Sequence, residues 1–222
     1  MTEEARWRDL LAQWRGQTVA VLTLPDLSAL VVCWDQGEQG GAVSGGDPAT
    51  YGSFLREFFC PEIVKLGYHM KDVMSRGLDR GWQAQGFVFD GAIAAISWPP
   101  PTEAMSWTSW APSISRKLTP AKEYLGAKVW KDAAGAQAAG QVMASHAALL
   151  FALYALLPEK LAAFGLTKVY EDIELPLCPV LAEMEQAGML VDEQALAQFG
   201  AGLTAGIAAL QEEIWAQAGE EF

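Results

Sequence analysis

Two prolines and a glycine fix how the last quarter of the chain can fold. Between Val169 and Asp192 the apolar residues Ile173, Leu177, Val180, Leu181 and Met184 recur at steps of three and four, which places them on one stripe of a helix. Pro176 and Pro179 lie within that stretch. A proline removes a backbone donor and clashes with the preceding turn, so both belong in a first turn or at a kink. Gly188 tolerates the left-handed conformation and can end the helix. Asp192 can cap the next helix, whose stripe runs Leu196, Phe199, Leu203, Ile207, Leu210 and Ile214. The spacing predicts a helix, a tight connection and a second helix, as an antiparallel pair.

Upstream, strands and helices alternate. Glu3 to Trp14 reads as an amphipathic helix with Trp7, Leu10, Leu11 and Trp14 on one side, ended by Gly16. Thr18 to Leu24 is β-branched and reads as a buried strand, Pro25-Asp26 turns the chain, and Ala29 to Trp34 returns. The glycines from Gly37 to Gly46 bracket a short third strand or a loop around Ala42-Val43; without a Gly-Lys-Ser/Thr ending they are no phosphate cradle. Asp47-Pro48 can open a helix over 49–59. A strand over 62–66, a helix over 70–80, a strand over 85–89 and a helix capped by Asp90 over 91–96 follow. This alternation predicts an α/β layer with a mixed sheet. Trp98-Pro-Pro-Pro101 breaks regular structure, and the segment to Pro120, which holds Trp107 and Trp110, reads as a loop packed on the domain surface. Ala133 to Leu157 is a long alanine-rich helix, with a separate short one over 158–164.

Composition narrows the function classes. With 51% hydrophobic residues, the 222-residue chain can build a sizeable core. No uninterrupted apolar run reaches the length of a membrane span, since Ser145 and His146 break the best one, and the N-terminal residues show no secretion signal. A cytoplasmic location is expected, with no membrane partner. Cys33, Cys60 and Cys178 are widely spaced and odd in number, which suits buried thiols rather than disulfides or zinc. The net charge of −12 opposes tight binding to nucleic acid, which is held largely by Lys and Arg on phosphates. His69 and His146 lack a third ligand at convincing spacing for a metal site, and partly buried histidines filling a cleft are expected. No Gly-x-Ser-x-Gly or comparable nucleophile motif is present.

The run Ile-Glu-Leu-Pro-Leu-x-Pro-Val-Leu-Ala-x-Met-Glu-x-x-Gly-Met-Leu-Val-Asp, from Ile173 to Asp192, resembles the signature that joins the exonuclease-like and polymerase domains of the bacterial DNA polymerase I family, family A. The Ala-Gly-Glu-Glu-Phe ending at Phe222 is similar to the end of that family's following helix pair. The resemblance implies a ribonuclease H-like 3′–5′ exonuclease domain over 1–166, then a connecting helix and the start of the polymerase thumb over 167–222. The chain would stop inside that thumb, before any polymerase motif. Its partners would be the remainder of the polymerase and, through the parent enzyme, DNA. Magnesium would belong to the parent polymerase.

An active member of that family holds two metals with four carboxylates: an Asp-x-Glu on the first strand, an Asp after a Lys-Val-Gly-x-Asn-x-Lys run, and an Asp four residues beyond a Tyr on the last long helix. Here Leu22 and Leu24 stand at the first pair. Lys65-Leu-Gly-Tyr-His-Met-Lys-Asp-Val73 puts Val73 at the third acid, with Asp72 one residue early and about 100° round the helix. Val142 takes the Tyr and His146 the last Asp, in a register that alanine repeats let slide by one. Apolar side chains cannot hold magnesium, which demands oxygen ligands. The expectation is a structural module without catalytic residues, cofactor or metal. Two alternatives stand beside it: a proofreading nuclease with relocated acids, for which only Asp26 and Asp72 are near enough, and a stand-alone partner-binding module.

Overall fold

The computed structural model describes residues 3–44, 48–96, 129–130 and 132–221. Asp47, the tryptophan loop with Trp98, Trp107 and Trp110, and the calls made for them lie outside those residues.

Five strands form one mixed sheet in the order β3-β2-β1-β4-β5. They are β1 (Thr18–Thr23), β2 (Ala29–Trp34), β3 (Gln39–Ser44), β4 (Val64–Gly67) and β5 (Phe87–Asp90). β1, β2 and β3 form an antiparallel meander, while β4 and β5 run parallel to β1 and to each other. The parallel pairings require crossovers, supplied by α2 (Pro48–Phe58) before β4 and α3 (Met70–Asp79) before β5. α1 (Glu3–Trp14) precedes the sheet and α4 (Gly91–Ile96) follows it.

Period-two alternation splits the core across the two sheet faces. Val19, Val21, Leu30 and Val32 face one cluster with Trp7 and Trp14 of α1, Phe54 and Phe58 of α2 and Met70 of α3. Ala20, Leu22, Val31 and Cys33 face the other, covered by Met143, Ala147 and Leu150 of the long helix α5 (Ala133–Ala163). The alanines of α5 let it approach closely. A Cβ on Gly37, whose φ is +88°, would lie 2.9 Å from the Ala148 Cβ.

α5 is continuous through Pro158, where the sequence suggested two helices. The bond a proline forfeits would go to Tyr154, and both residues are on the exposed side, where water can satisfy that carbonyl. By length and composition, residues 134–163 are also apolar enough to cross a membrane, contrary to the expectation from uninterrupted runs; 56% of the apolar window is buried within the fold, as in a core helix. A helical turn (Thr167–Val169) and a π-helical turn (Tyr170–Glu174) lead into α6 (Leu175–Ala187), with Pro176 in its first turn.

The first compact unit closes at Gln186, beyond the expected border at 166. α6 accounts for the difference: Cys178 and Ala182 are buried in the core cluster of α1–α3. Glu185 accepts from Lys71 at 2.5 Å and from Ser75 at 3.0 Å, and Gln186 donates to the Leu78 carbonyl. The second unit, Ala187–Phe222, contains α7 (Glu193–Ala218), capped by the Asp192 carboxylate on the Ala195 N–H and ended by Gly219 at φ +82°.

One buried lysine organises the start of β4. Lys65 is fully buried, and its Nζ donates to the carbonyls of Cys60, Ile63 and Gln85 at 2.7–3.0 Å, with the Phe58 ring 5.3 Å away. Burial pulls its pKa down to about 7, and the neighbouring Cys60 and Glu62 act in the opposite direction. Lys65→Met would orphan the three carbonyls. It is expected to destabilise the fold by about 3 kcal/mol, read as a lowered urea midpoint.

Candidate functional site

The C-terminal end of β1 is where this sheet could place chemistry. Leu22 and Leu24 project from the same face, as alternation requires, and both are buried beneath α5. Val73 is buried on the first turns of α3, in the opposite core cluster. Leu22 and Val73 nevertheless meet along one groove of about 630 Å³, which also exposes Thr23, His69, Asp72 and Arg76. Val142 and His146 lie on α5; His146 is fully buried and Val142 partly so. The His146 Nδ1 lies 2.9 Å from the Val142 carbonyl, and burial lowers the imidazole pKa.

The acids around the groove are engaged with side chains of their own surroundings. Lys71 approaches both Asp72, at 3.6 Å, and Glu185, while Arg76 lies 3.4 Å from Asp79. Asp26 does not join them: its Oδ1 accepts from the Ser28 N–H and hydroxyl in the turn after β1, and these bonds lower its pKa. Among the described residues no three His, Cys, Asp or Glu side chains converge as a metal site. The hydrocarbon side chains at Leu22, Leu24, Val73 and Val142 have no oxygen to offer magnesium, so the group implied for an active nuclease does not fit them.

His69 departs from its expected place. Its side chain is exposed rather than partly buried, edge-on to Tyr68 at 4.5 Å. Its backbone sits at φ +55°, a conformation that costs a non-glycine residue on the order of 1 kcal/mol. That turn aims two successive N–H groups, of His69 and Met70, at the Asp90 carboxylate, at 3.2 and 2.7 Å.

Asp90 was expected to cap α4, and it does, accepting from Ala92 and Ile93 at 2.8 and 3.3 Å. Its second duty at the start of α3 could not be read from the sequence, because the donors are some twenty residues upstream. Tyr170 was missed too. Its hydroxyl accepts from the Asp90 N–H at 3.0 Å and lies 3.3 Å from the Asp90 carbonyl, tying the signature segment to the sheet. A tyrosine just before Ile173 was the available signal.

No protein-family profile matches the chain. It is 47% identical over 79 residues to DNA polymerase I of Rhizobium leguminosarum, a match that covers 36% of this chain and 8% of that protein. It is 29% identical over 147 residues to DNA polymerase I of Geobacillus stearothermophilus, covering 64% of this chain and 16% of the relative. The chain is related to bacterial DNA polymerase I. It spans less than a fifth of the length of these polymerase relatives. A solved structure, the polymerase domain of Pol1 from M. smegmatis in complex with DNA primer-template and dNTP, shares the fold: the TM-score is 0.69 at 22% identity, over 100% of this chain and 38% of that one.

Two variants test this geometry. Asp90→Ala removes a buried acceptor of four N–H groups and is expected to cost about 3 kcal/mol, measured by urea denaturation. For His146, the folded pKa lies below the ordinary 6.5, so the unfolded chain takes the proton first as pH falls. Its contribution is complete above that value and is lost as pH drops through and below it. Wild type should therefore lose stability relative to His146→Leu as pH falls below about 6.5, measured by urea denaturation across that range.

Proposed function

We propose that this chain is a DNA polymerase I segment whose exonuclease-like unit has lost its catalytic metal centre and serves as a structural support for the rest of the polymerase. The observation that carries this reading is the burial of Leu22 and Leu24 on one face of β1, with Val73 on the adjoining groove. These are the positions that the family resemblance assigns to metal-binding acids. The mixed sheet order β3-β2-β1-β4-β5 supports a ribonuclease H-like exonuclease ancestry. The polymerase relatives, each far longer than the matched segment, support a place within a larger DNA-synthesising enzyme of the cytoplasm, where magnesium would serve the polymerase site.

Supporting the polymerase here means mechanical work. The unit holds a packed sheet and presents α6, anchored through Cys178, Ala182 and Glu185. Direct DNA binding is opposed by the net charge of −12.

Incubation of the chain with a 3′-labelled single strand and Mg²⁺ or Mn²⁺ is expected to leave the strand at full length; shortening that Asp72→Asn abolishes would establish relocated acids instead. Deleting residues 1–166 from a polymerase that carries this segment should lower its thermal stability or processivity. Unchanged behaviour in both would remove the supporting role.

A further inference from the structure

The sheet ends at β3 on an edge that carries none of the usual protection. β3 pairs with β2 along its whole length, from Trp34 opposite Gln39 to Ala29 opposite Ser44, without the register shift that interrupts β4 and β5. It is the outermost strand of the sheet, and among the described residues no backbone group bonds to its other side. Every second residue of an antiparallel edge strand points its N–H and C=O away from the sheet. Such a row is a template for a further strand, and proteins commonly blunt it with lysine, proline or a bulge. Gln39-Gly-Gly-Ala-Val-Ser44 has none of these.

The side chains beside this edge define what can lie along it. Gly40 and Ala42 are exposed, and the α5 residues over their face are small: a Cβ on Gly140 would lie 3.2 Å from the Ala42 Cβ, and a Cβ on Gly40 would lie 3.9 Å from the Ala144 Cβ. Between Asp132 and Glu159, α5 carries no Asp, Glu, Lys or Arg. On the opposite face a Cβ at Gly41 would meet only the Trp34 ring, at 3.9 Å. Charge enters at the turn before β3, where Asp35 and Glu38 are exposed and the Gln39 Nε2 donates to Asp35 at 3.3 Å.

This combination selects an occupant. A straight row of main-chain donors and acceptors matches an extended peptide backbone. A second copy would bring together two chains that each carry a net charge of −12, which repel. Nucleic acid phosphates and anionic lipid surfaces meet the same repulsion. A protein segment with lysine or arginine at one end gains at Asp35 and Glu38 what these others lose.

We infer that β3 is a docking edge for an extended segment of a partner protein, added antiparallel to it, with an uncharged β-branched core and lysine or arginine at its C-terminal end. Antiparallel addition continues the meander of β1, β2 and β3 and brings the partner's C-terminal end beside Asp35 and Glu38, where β3 begins. The backbone ladder supplies the affinity, and the small residues of β3 leave room for larger side chains on the added strand. The edge lies wholly within the first unit and does not depend on the supporting role proposed above.

The test titrates the 222-residue chain with labelled short peptides that share an alternating threonine-valine core and differ only in whether a lysine pair stands at the C-terminal or the N-terminal end. Fluorescence anisotropy at low ionic strength should show the C-terminal-lysine peptide binding about five-fold more tightly, a preference that fades as salt rises and in Glu38→Gln. Methylating alternate backbone nitrogens of that peptide should weaken binding by at least about ten-fold in one phase and leave it intact in the other, because only one set of N–H groups faces β3. Gly41→Lys places a charge on the edge and should weaken binding by about five-fold or more, whereas Gly41→Ala should bind as wild type. Equal circular dichroism of the two variants separates this loss from unfolding. Absence of binding by either peptide, equal or reversed preference between them, or indifference to methylation in both phases would overturn the inference. So would a dimer by sedimentation that Gly41→Lys dissociates, which would assign the edge to a second copy.

Discussion

One buried carboxylate holds the ends of three elements together. Asp90 closes β5, and its two oxygens accept four backbone N–H groups from the starts of α3 and α4. Its own backbone is clasped by the Tyr170 hydroxyl from the segment that leads into α6. Helix N-termini leave N–H groups without intrahelical partners and carry partial positive charge, so an anion between two of them meets both needs. The left-handed turn at His69 is the cost of bringing the α3 donors into range, and charge-assisted bonds of this kind are worth more than that cost.

The same end of the sheet shows why hydrocarbon at positions 22, 24 and 73 is compatible with a well-packed unit. Two carboxylates on one face of a buried strand repel each other and resist desolvation unless a cation neutralises them. Leucines there instead join the layer between β1 and α5, each adding apolar burial of roughly 2 kcal/mol. Once the metals are dispensable, folding stability favours the leucines. The face of β1 that carries Leu22 and Leu24 is therefore core in its chemistry as well as in its position.

Much of the sheet was legible from local pattern. β1 and β2 follow from β-branched runs broken by Pro25-Asp26, and α3 from the spacing of Met70, Val73 and Met74. What escaped depended on distant neighbours. Pro158 reads as a helix break, yet its exposed side lets water replace the forfeited bond. His69 reads as a partly buried residue, yet its side chain is exposed along the groove while its backbone N–H is held by Asp90. The buried Lys65 sits in a strand pattern as an ordinary polar residue; only the fold reveals the three carbonyls around it. At the candidate site, Leu22, Leu24 and Val73 could be named from the sequence, but the shared groove of Leu22 and Val73 could not, because they belong to opposite core clusters.

The family-like signature is divided by packing rather than by sequence. Its first part is held to the sheet unit by the Tyr170 clasp, by burial of Cys178 and Ala182, and by Glu185 on Lys71 and Ser75. Beyond Gln186 the chain enters a second unit, opened by Gly188 at φ +68° and Asp192 as a cap. A border drawn from sequence likeness follows a change in motif, whereas the border of the folded unit falls where buried contacts end. Here the second lies downstream of the first, so a helix that sequence likeness reads as a connector is, in energetic terms, part of the first unit's core.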